Sequence, residues 1–129
     1  MTINAVTAGV KVSVLTEYQP SYSSPYQEHF VFTYRIRIEN NSENTVQLMR
    51  RQWFIFDSNA TVREVEGEGV IGVQPVLEPG EVHEYISGCN LKTSIGKMLG
   101  SYVMERLVDG KQFHVEIPEF NLIVPYRLN

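Results

Sequence analysis

Gly67, Gly69 and Gly72 stand in Glu64-Val65-Glu66-Gly67-Glu68-Gly69-Val70-Ile71-Gly72-Val73-Gln74-Pro75, a G-x-G-x-x-G spacing. Glycines so placed can close backbone amides on a phosphate, because Gly combines unusual dihedrals with the close approach an anion needs. In dinucleotide-binding folds the same spacing joins a strand to a helix whose positive end meets the pyrophosphate. No helix is expected here: Pro75 and Pro79-Gly80 follow within one helix length, and Val70, Ile71, Val73 and Val76 are branched residues suited to a pleated surface. Two readings stand for the segment. It is a phosphate-approaching loop with Arg51 balancing the charge, or a bulge and tight crossing between two strands. The absent helix dipole and the neighbouring Glu64, Glu66 and Glu68 favour the crossing.

Other residue types offer less chemistry. Glu64, Glu66 and Glu68, if extended, share one face about 7 Å apart, a spacing a hard cation could use but one that is ordinary for a solvated strand face. Arg50 and Arg51, with Arg35 and Arg37, carry guanidinium forks suited to carboxylate or phosphate; surface ion pairs explain them equally well. His29, His83 and His114 are scattered and accompanied only by Cys89, so neither a zinc site nor a Cys-His nucleophile is expected. Ser87-Gly88-Cys89 lacks the G-x-S-x-G pattern of a nucleophile elbow. No catalytic residue, metal site or cofactor is expected. Tyr18, Tyr22 and Tyr26, set among Pro20, Pro25 and several serines, read as a non-strand segment. Its aromatics are either a partner or self-association surface or a loop folded over one end of the core.

The elements that must position these residues share one period. Phe30, Phe32, Tyr34, Ile36 and Ile38 alternate with Thr33, Arg35, Arg37 and Glu39, broken only by Val31, which is the pattern of a strand with one buried face. Val10, Val12 and Val14, and Phe113, Val115 and Ile117, repeat it. Further strands are expected over Val46 to Phe56, Thr61 to Glu66, Val82 to Ser87 and Ser101 to Leu107, separated by turn-forming residues. Asp109-Gly110 suggests a type I′ hairpin, and Leu91 to Gly100 an irregular loop. Trp53 is expected to fill the space between two sheets. Regularly spaced strands imply an all-β sandwich of two antiparallel sheets rather than βαβ units.

Composition sets outer limits. A chain of 129 residues with 43% hydrophobic content has enough material for one core, so a single domain over residues 1–129 is expected. A formal net charge of −4 argues against a broad nucleic-acid footprint, which needs clustered Lys and Arg. Cys89 is the only cysteine, which fits a reducing compartment, and no leader-like or membrane-spanning apolar run is present. A cytoplasmic location without membrane contact is expected.

A family resemblance is carried by Arg51-x-Trp53, by Val65-x-Gly67-x-Gly69-Val70-x-Gly72-x-Gln74-Pro75-x-Leu77-x-Pro79-Gly80, by Ser87-Gly88, by Gly96-x-Met98-x-Gly100-x-Tyr102-x-Met104, and by Ile117-Pro118-x-Phe120-x-Leu122. From about Val10 to Val124 the chain resembles the ApaG family. The resemblance implies an immunoglobulin-like or fibronectin type III-like β-sandwich, found alone in bacteria and fused to F-box and polymerase-delta-interacting proteins in animals. It also implies a link, by name, to cobalt and magnesium resistance, and pyrophosphate or nucleotide binding at the glycine motif. No enzymatic activity comes with it. Gln52 stands where the family commonly has His, and Ser94 where Pro is common. Two functions are therefore expected as alternatives. One is a non-enzymatic module that binds a protein partner or forms a homodimer. The other is a binder or weak hydrolase of a phosphate-containing small molecule at Gly67, Gly69, Gly72 and Arg51.

Overall fold

Nine strands form two antiparallel sheets in this structure, a computed structural model that describes residues 2–128. The strands are β1 (Ile3–Thr7), β2 (Val10–Tyr18), β3 (Phe30–Asn40), β4 (Val46–Asp57), β5 (Val62–Glu68), β6 (Val76–Leu77), β7 (Val82–Leu91), β8 (Ile95–Arg106) and β9 (Lys111–Ile123). One sheet runs β1-β2-β3-β7; the other runs β5-β4-β8-β9, with β6 paired to β4. The only helical turns among the described residues are short 3-10 segments at Pro20–Tyr22, Pro25–Gln27 and Pro125–Leu128. No helix among the described residues is long and apolar enough to cross a membrane.

The period of two read from the sequence is the period of burial. Phe30, Phe32, Tyr34, Ile36 and Ile38 point inward from β3, facing Leu48, Trp53 and Ile55 of β4, while Arg35 and Arg37 are exposed. Val10, Val12 and Val14 of β2 and Val115, Ile117, Phe120 and Leu122 of β9 extend the same core. Trp53 is 3% exposed and lies edge-on to Tyr34 at 5.4 Å and to Phe120 at 5.8 Å, so it fills the inter-sheet space as expected. Asn40 is fully buried and fully bonded. Its amide donates to the carbonyls of Asn44 and Leu77, and its oxygen accepts from the backbone and hydroxyl of Ser42.

Three readings of the sequence are corrected. Leu91 to Gly100 is not an irregular loop: β7 runs to Leu91 and β8 begins at Ile95. Gly96 sits inside β8 because a Cβ there would lie 2.5 Å from the Phe56 carbonyl oxygen and 2.6 Å from Leu91 Cδ1; it marks close strand approach, not a turn. Asp109-Gly110 is not a two-residue type I′ turn. Arg106 pairs with Lys111 across a four-residue loop in which Gly110 has φ +70° and Asp109 does not enter the left-handed region. The Asp109 carboxylate is held by Arg106 and the Lys111 N–H, which sets the wider loop. Finally, Tyr18 is the last residue of β2 and packs on Phe32 at 5.3 Å, so it lies outside the non-strand segment.

Candidate binding site at the open side of the sandwich

A bulge in β4 decides which side chains enter the site. Leu48 pairs with Met104 and Arg50 with Val103, so Met49 is the extra residue. Before it the even positions Val46 and Leu48 are buried; after it the odd positions Trp53 and Ile55 are. Arg51 therefore shares the inward face with Trp53, whereas Arg50 and Gln52 face outward with Glu64, Glu66 and Glu68 of β5. The three glutamates lie on the sheet face opposite to Arg51. Gln52 donates to Glu64 at 2.9 Å and Arg50 approaches Glu66 at 3.9 Å. Arg37 pairs with Glu39 and Glu84, and exposed pairs of this kind contribute about 0–1 kcal/mol.

The glycine segment folds back over Arg51. Arg51 Nη1 donates to the carbonyls of Glu68 and Gly69, each at 3.0 Å. The guanidinium lies across Gly67, where a Cβ would stand 3.0 Å from both terminal nitrogens. Gly69 has φ +62°, and a Cβ there would fall 2.1 Å from the Val73 carbonyl oxygen. Ile71 and Gly72 follow at φ +45° and +76°, with Val70 and Val73 exchanging N–H to carbonyl bonds of 2.8 and 3.1 Å, the form of a type I′ turn. Ile71, β-branched and 61% exposed, is an unusual occupant of the left-handed region. The Met49 carbonyl at the bulge accepts from the Gly69 N–H at 2.9 Å and from Gln74 Nε2 at 3.0 Å, which fastens the turn to β4. The segment is thus a strand end, a crossing and a tight turn. The N–H groups of Gly69, Val70 and Val73 are engaged within the protein.

Across from this turn, β3 contributes Tyr34 and β7 contributes Tyr85 and Ser87. With Arg51, Trp53, Val70, Ile71 and Gly72 they line a cleft of about 150 Å³. The Tyr85 and Tyr102 hydroxyls share a short hydrogen bond at its floor. Burial pushes Tyr34, Tyr85 and Tyr102 above the ordinary tyrosine range; Ser87 beside Tyr34 and the Arg51 charge oppose the shift without cancelling it. These hydroxyls stay protonated at neutral pH and serve as hydrogen-bonding groups, not bases. Burial also raises the Cys89 thiol, more strongly than Arg63 lowers it, so the thiol remains protonated and poorly nucleophilic. The cleft therefore presents one guanidinium and several hydroxyls, groups of the kind that can donate to an oxyanion. No carboxylate lies within ion-pair distance of Arg51 or Arg63 among the described residues.

The cleft borders a free strand edge. Asn40 N–H donates to the Glu81 carbonyl at 3.0 Å, which sets the phase of the β3–β7 ladder. His83, Tyr85, Ser87 and Cys89 then bond to β3, while Val82, Glu84, Ile86, Gly88 and Asn90 turn their backbone groups outward. The Arg63 guanidinium donates to the Asn90 carbonyl, closing that end of the edge.

Of the residues anticipated from sequence, Arg51, Gly67, Gly69 and Gly72 come together here. Tyr18, Tyr22 and Tyr26 contribute nothing to the cleft. Tyr22 and Tyr26 are 72% and 103% exposed on their 3-10 turns, and Tyr18 lines a separate depression with Phe32, Asn121 and Pro125. Tyr34, Tyr85, Ser87 and Arg63 were missed. Their signal was the inward phase of their strands, which becomes a site only when register brings four strands together.

The architecture is that of an all-β, immunoglobulin/fibronectin type III-like sandwich with a cleft at one open side. Residues 20–106 match the ApaG domain model, and the chain belongs to the ApaG family. It is 50% identical over 122 residues to Protein ApaG of Brucella canis, spanning 95% of this chain and 93% of that one. A crystal structure of an ApaA protein from Bordetella pertussis superimposes with a TM-score of 0.87 at 45% identity, covering 90% of this chain and 94% of that one. A second crystal structure, of a structural-genomics target, gives a TM-score of 0.88 at 35% identity over 97% of this chain and 94% of that one.

Proposed function

We propose that this chain is a non-enzymatic interaction module that docks a protein partner, or a second copy of itself, by strand addition along β7. The observation that supports it is the unpaired edge from Val82 to Gly88, bordered by the cleft and closed by Arg63 only beyond Gly88. Added strands gain affinity from main-chain bonds, and long open edges are otherwise avoided in soluble sandwiches. Ile86→Pro tests it, because the Ile86 N–H faces away from β3 and its loss leaves the ladder intact. The variant should keep the wild-type melting profile and lose its partner in crosslinking and co-purification, or lose dimerisation in light scattering. A wild-type chain that stays monomeric and captures nothing contradicts the proposal.

A second reading rests on the Arg51 guanidinium, which faces the cleft without a carboxylate partner. A small phosphate-bearing ligand would occupy that position, beside the turn at Gly72 and above Gly67 and Gly69. A thermal-shift assay with pyrophosphate or ATP, with and without Mg²⁺ or Co²⁺, decides it: a ligand at 100 times its Kd adds about 2.7 kcal/mol. Absence of any shift removes this reading and leaves the first untouched.

A further inference from the structure

We infer that the segment recognised along β7 is an extended, acidic stretch of a partner protein whose carboxylates enter the seam between β7 and β5. This deepens the strand-addition reading and rests on it. A strand paired to the outward groups of Glu84, Ile86 and Gly88 places alternate side chains on the interior side of the edge, opposite Tyr85 and Ser87. That side is where Arg51 reaches the cleft with Tyr34, Tyr85 and Ser87. Further along β7, Arg63 lies against Cys89 and the Asn90 carbonyl.

The charge along this seam is opposite in sign to that of the chain, whose formal net charge is −4. Arg51 and Arg63 form no ion pair within the described residues. Glu64, Glu66 and Glu68 are on the other face of their sheet, and Glu84 is engaged by Arg37 on the outer face of its own. Asp57, the carboxylate at the Arg63 end, is occupied by the Lys92 N–H at 2.7 Å and by the Thr93 hydroxyl. A half-buried guanidinium gains most from a carboxylate that arrives with the partner, because water is excluded as the strand docks. Arg51 and its hydroxyl neighbours therefore select the acidic residue, while the β7 backbone supplies sequence-independent bonds.

The test is selection of random dodecapeptides displayed on phage against the whole chain. The expected pool is enriched in Asp or Glu at alternate positions within branched or aromatic residues. Representative peptides should bind more weakly as salt rises, lose about tenfold in affinity with Arg51→Gln, retain most of it with Arg51→Lys, and fail to bind Ile86→Pro. Circular dichroism and Trp53 fluorescence confirm that each variant is folded. Because Arg51 also holds the Glu68 and Gly69 carbonyls, the salt dependence of the unaltered protein and a panel of Glu→Gln peptides give readings independent of any variant. A pool that depends on Ile86 but shows no acidic preference, or peptides indifferent to both Glu→Gln and Arg51→Gln, overturns this inference and leaves strand addition standing. No enrichment, or enrichment indifferent to Ile86→Pro, overturns both.

Discussion

Replacing the three motif glycines by alanine, one at a time, separates a structural turn from an anion cradle. At Gly69, alanine must adopt φ +62°, which costs about 1–2 kcal/mol. Its Cβ would also fall 2.1 Å from the Val73 carbonyl oxygen, so the turn must open. Opening it breaks the 2.8 Å bond from the Val70 N–H and disturbs the Arg51 bond to the Gly69 carbonyl, at about 1 kcal/mol each. The expected loss is about 3–4 kcal/mol, a large part of the 5–15 kcal/mol typical of a domain. Gly72 also has positive φ, +76°, but nothing lies within 4 Å of its Cβ direction, so only the conformational cost of about 1–2 kcal/mol remains. At Gly67 the near atoms are the mobile end of Arg51, at 3.0 Å. The guanidinium moves aside, and reduced freedom of the unfolded chain offsets the crowding to within about 1 kcal/mol. Urea denaturation followed by Trp53 fluorescence should rank the losses Gly69, then Gly72, then Gly67. With an m-value of about 1–3 kcal/mol/M, the Gly69→Ala midpoint falls by about 2 M. Equal losses at all three positions, or the largest at Gly72, would refute the reasoning. Gly67→Ala, folded but with Arg51 displaced, should bind acidic peptide less well, linking the motif to recognition without a phosphate.

Other perturbations follow from single contacts. Asn40→Ala leaves the carbonyls of Leu77 and Asn44 without their amide donor and should cost about 1–3 kcal/mol by chemical denaturation, despite removing a polar group from the interior. Tyr34, Tyr85 and Tyr102 have raised folded pKa values, so the unfolded chain loses these protons first as pH rises. Their stabilisation is complete below about pH 10 and is lost above it. Absorbance titration should show these three hydroxyls ionising together with alkaline unfolding. Asp109 carries the opposite shift, down to about 2, chiefly through its bond from Arg106. Its contribution is present above the ordinary carboxylate range and disappears as pH falls towards 2. Arg106→Gln should move its NMR titration up towards the ordinary carboxylate range but not fully into it, because the Lys111 N–H bond remains.

The sheets were legible in the sequence because burial and side-chain period coincide in β2, β3 and β9. Where the sequence misled, the cause was a residue doing something other than its commonest task. Gly96 permits contact with Phe56 and Leu91 and does not turn the chain. Asp109 binds Arg106 and widens a loop that its neighbour Gly110 alone would have made tight. β1 was hidden because its outward positions include Val6, 63% exposed, which removes the contrast between faces. The glycine motif and Arg51 were visible, but their partners Tyr34, Tyr85, Ser87 and Arg63 arrive from other strands through register, which no local pattern encodes.

The bulge at Met49 shows how little separates this site from a plain sandwich face. Were β4 to run through Met49 in plain alternation with no bulge, the phase set by Val46 and Leu48 would carry Arg50 and Gln52 inward and turn Arg51 and Trp53 to solvent. The core would lose its central aromatic, and two polar side chains would need partners among apolar neighbours. The same bulge offers the Met49 carbonyl to Gly69 and Gln74, so the turn that covers Arg51 is anchored at the residue that aims Arg51 inward. Core packing and the cleft thus depend on one backbone irregularity. Deleting Met49 regularises the ladder and keeps Leu48, Arg51 and Trp53 in alternation. That variant should unfold cooperatively but lose the carbonyl that anchors the turn, and with it peptide binding. Met49→Ala, which keeps the backbone count and the carbonyl, should leave both fold and peptide binding in place. A deletion variant with Trp53 open to quenching would show that the bulge is not what absorbs the extra residue in β4.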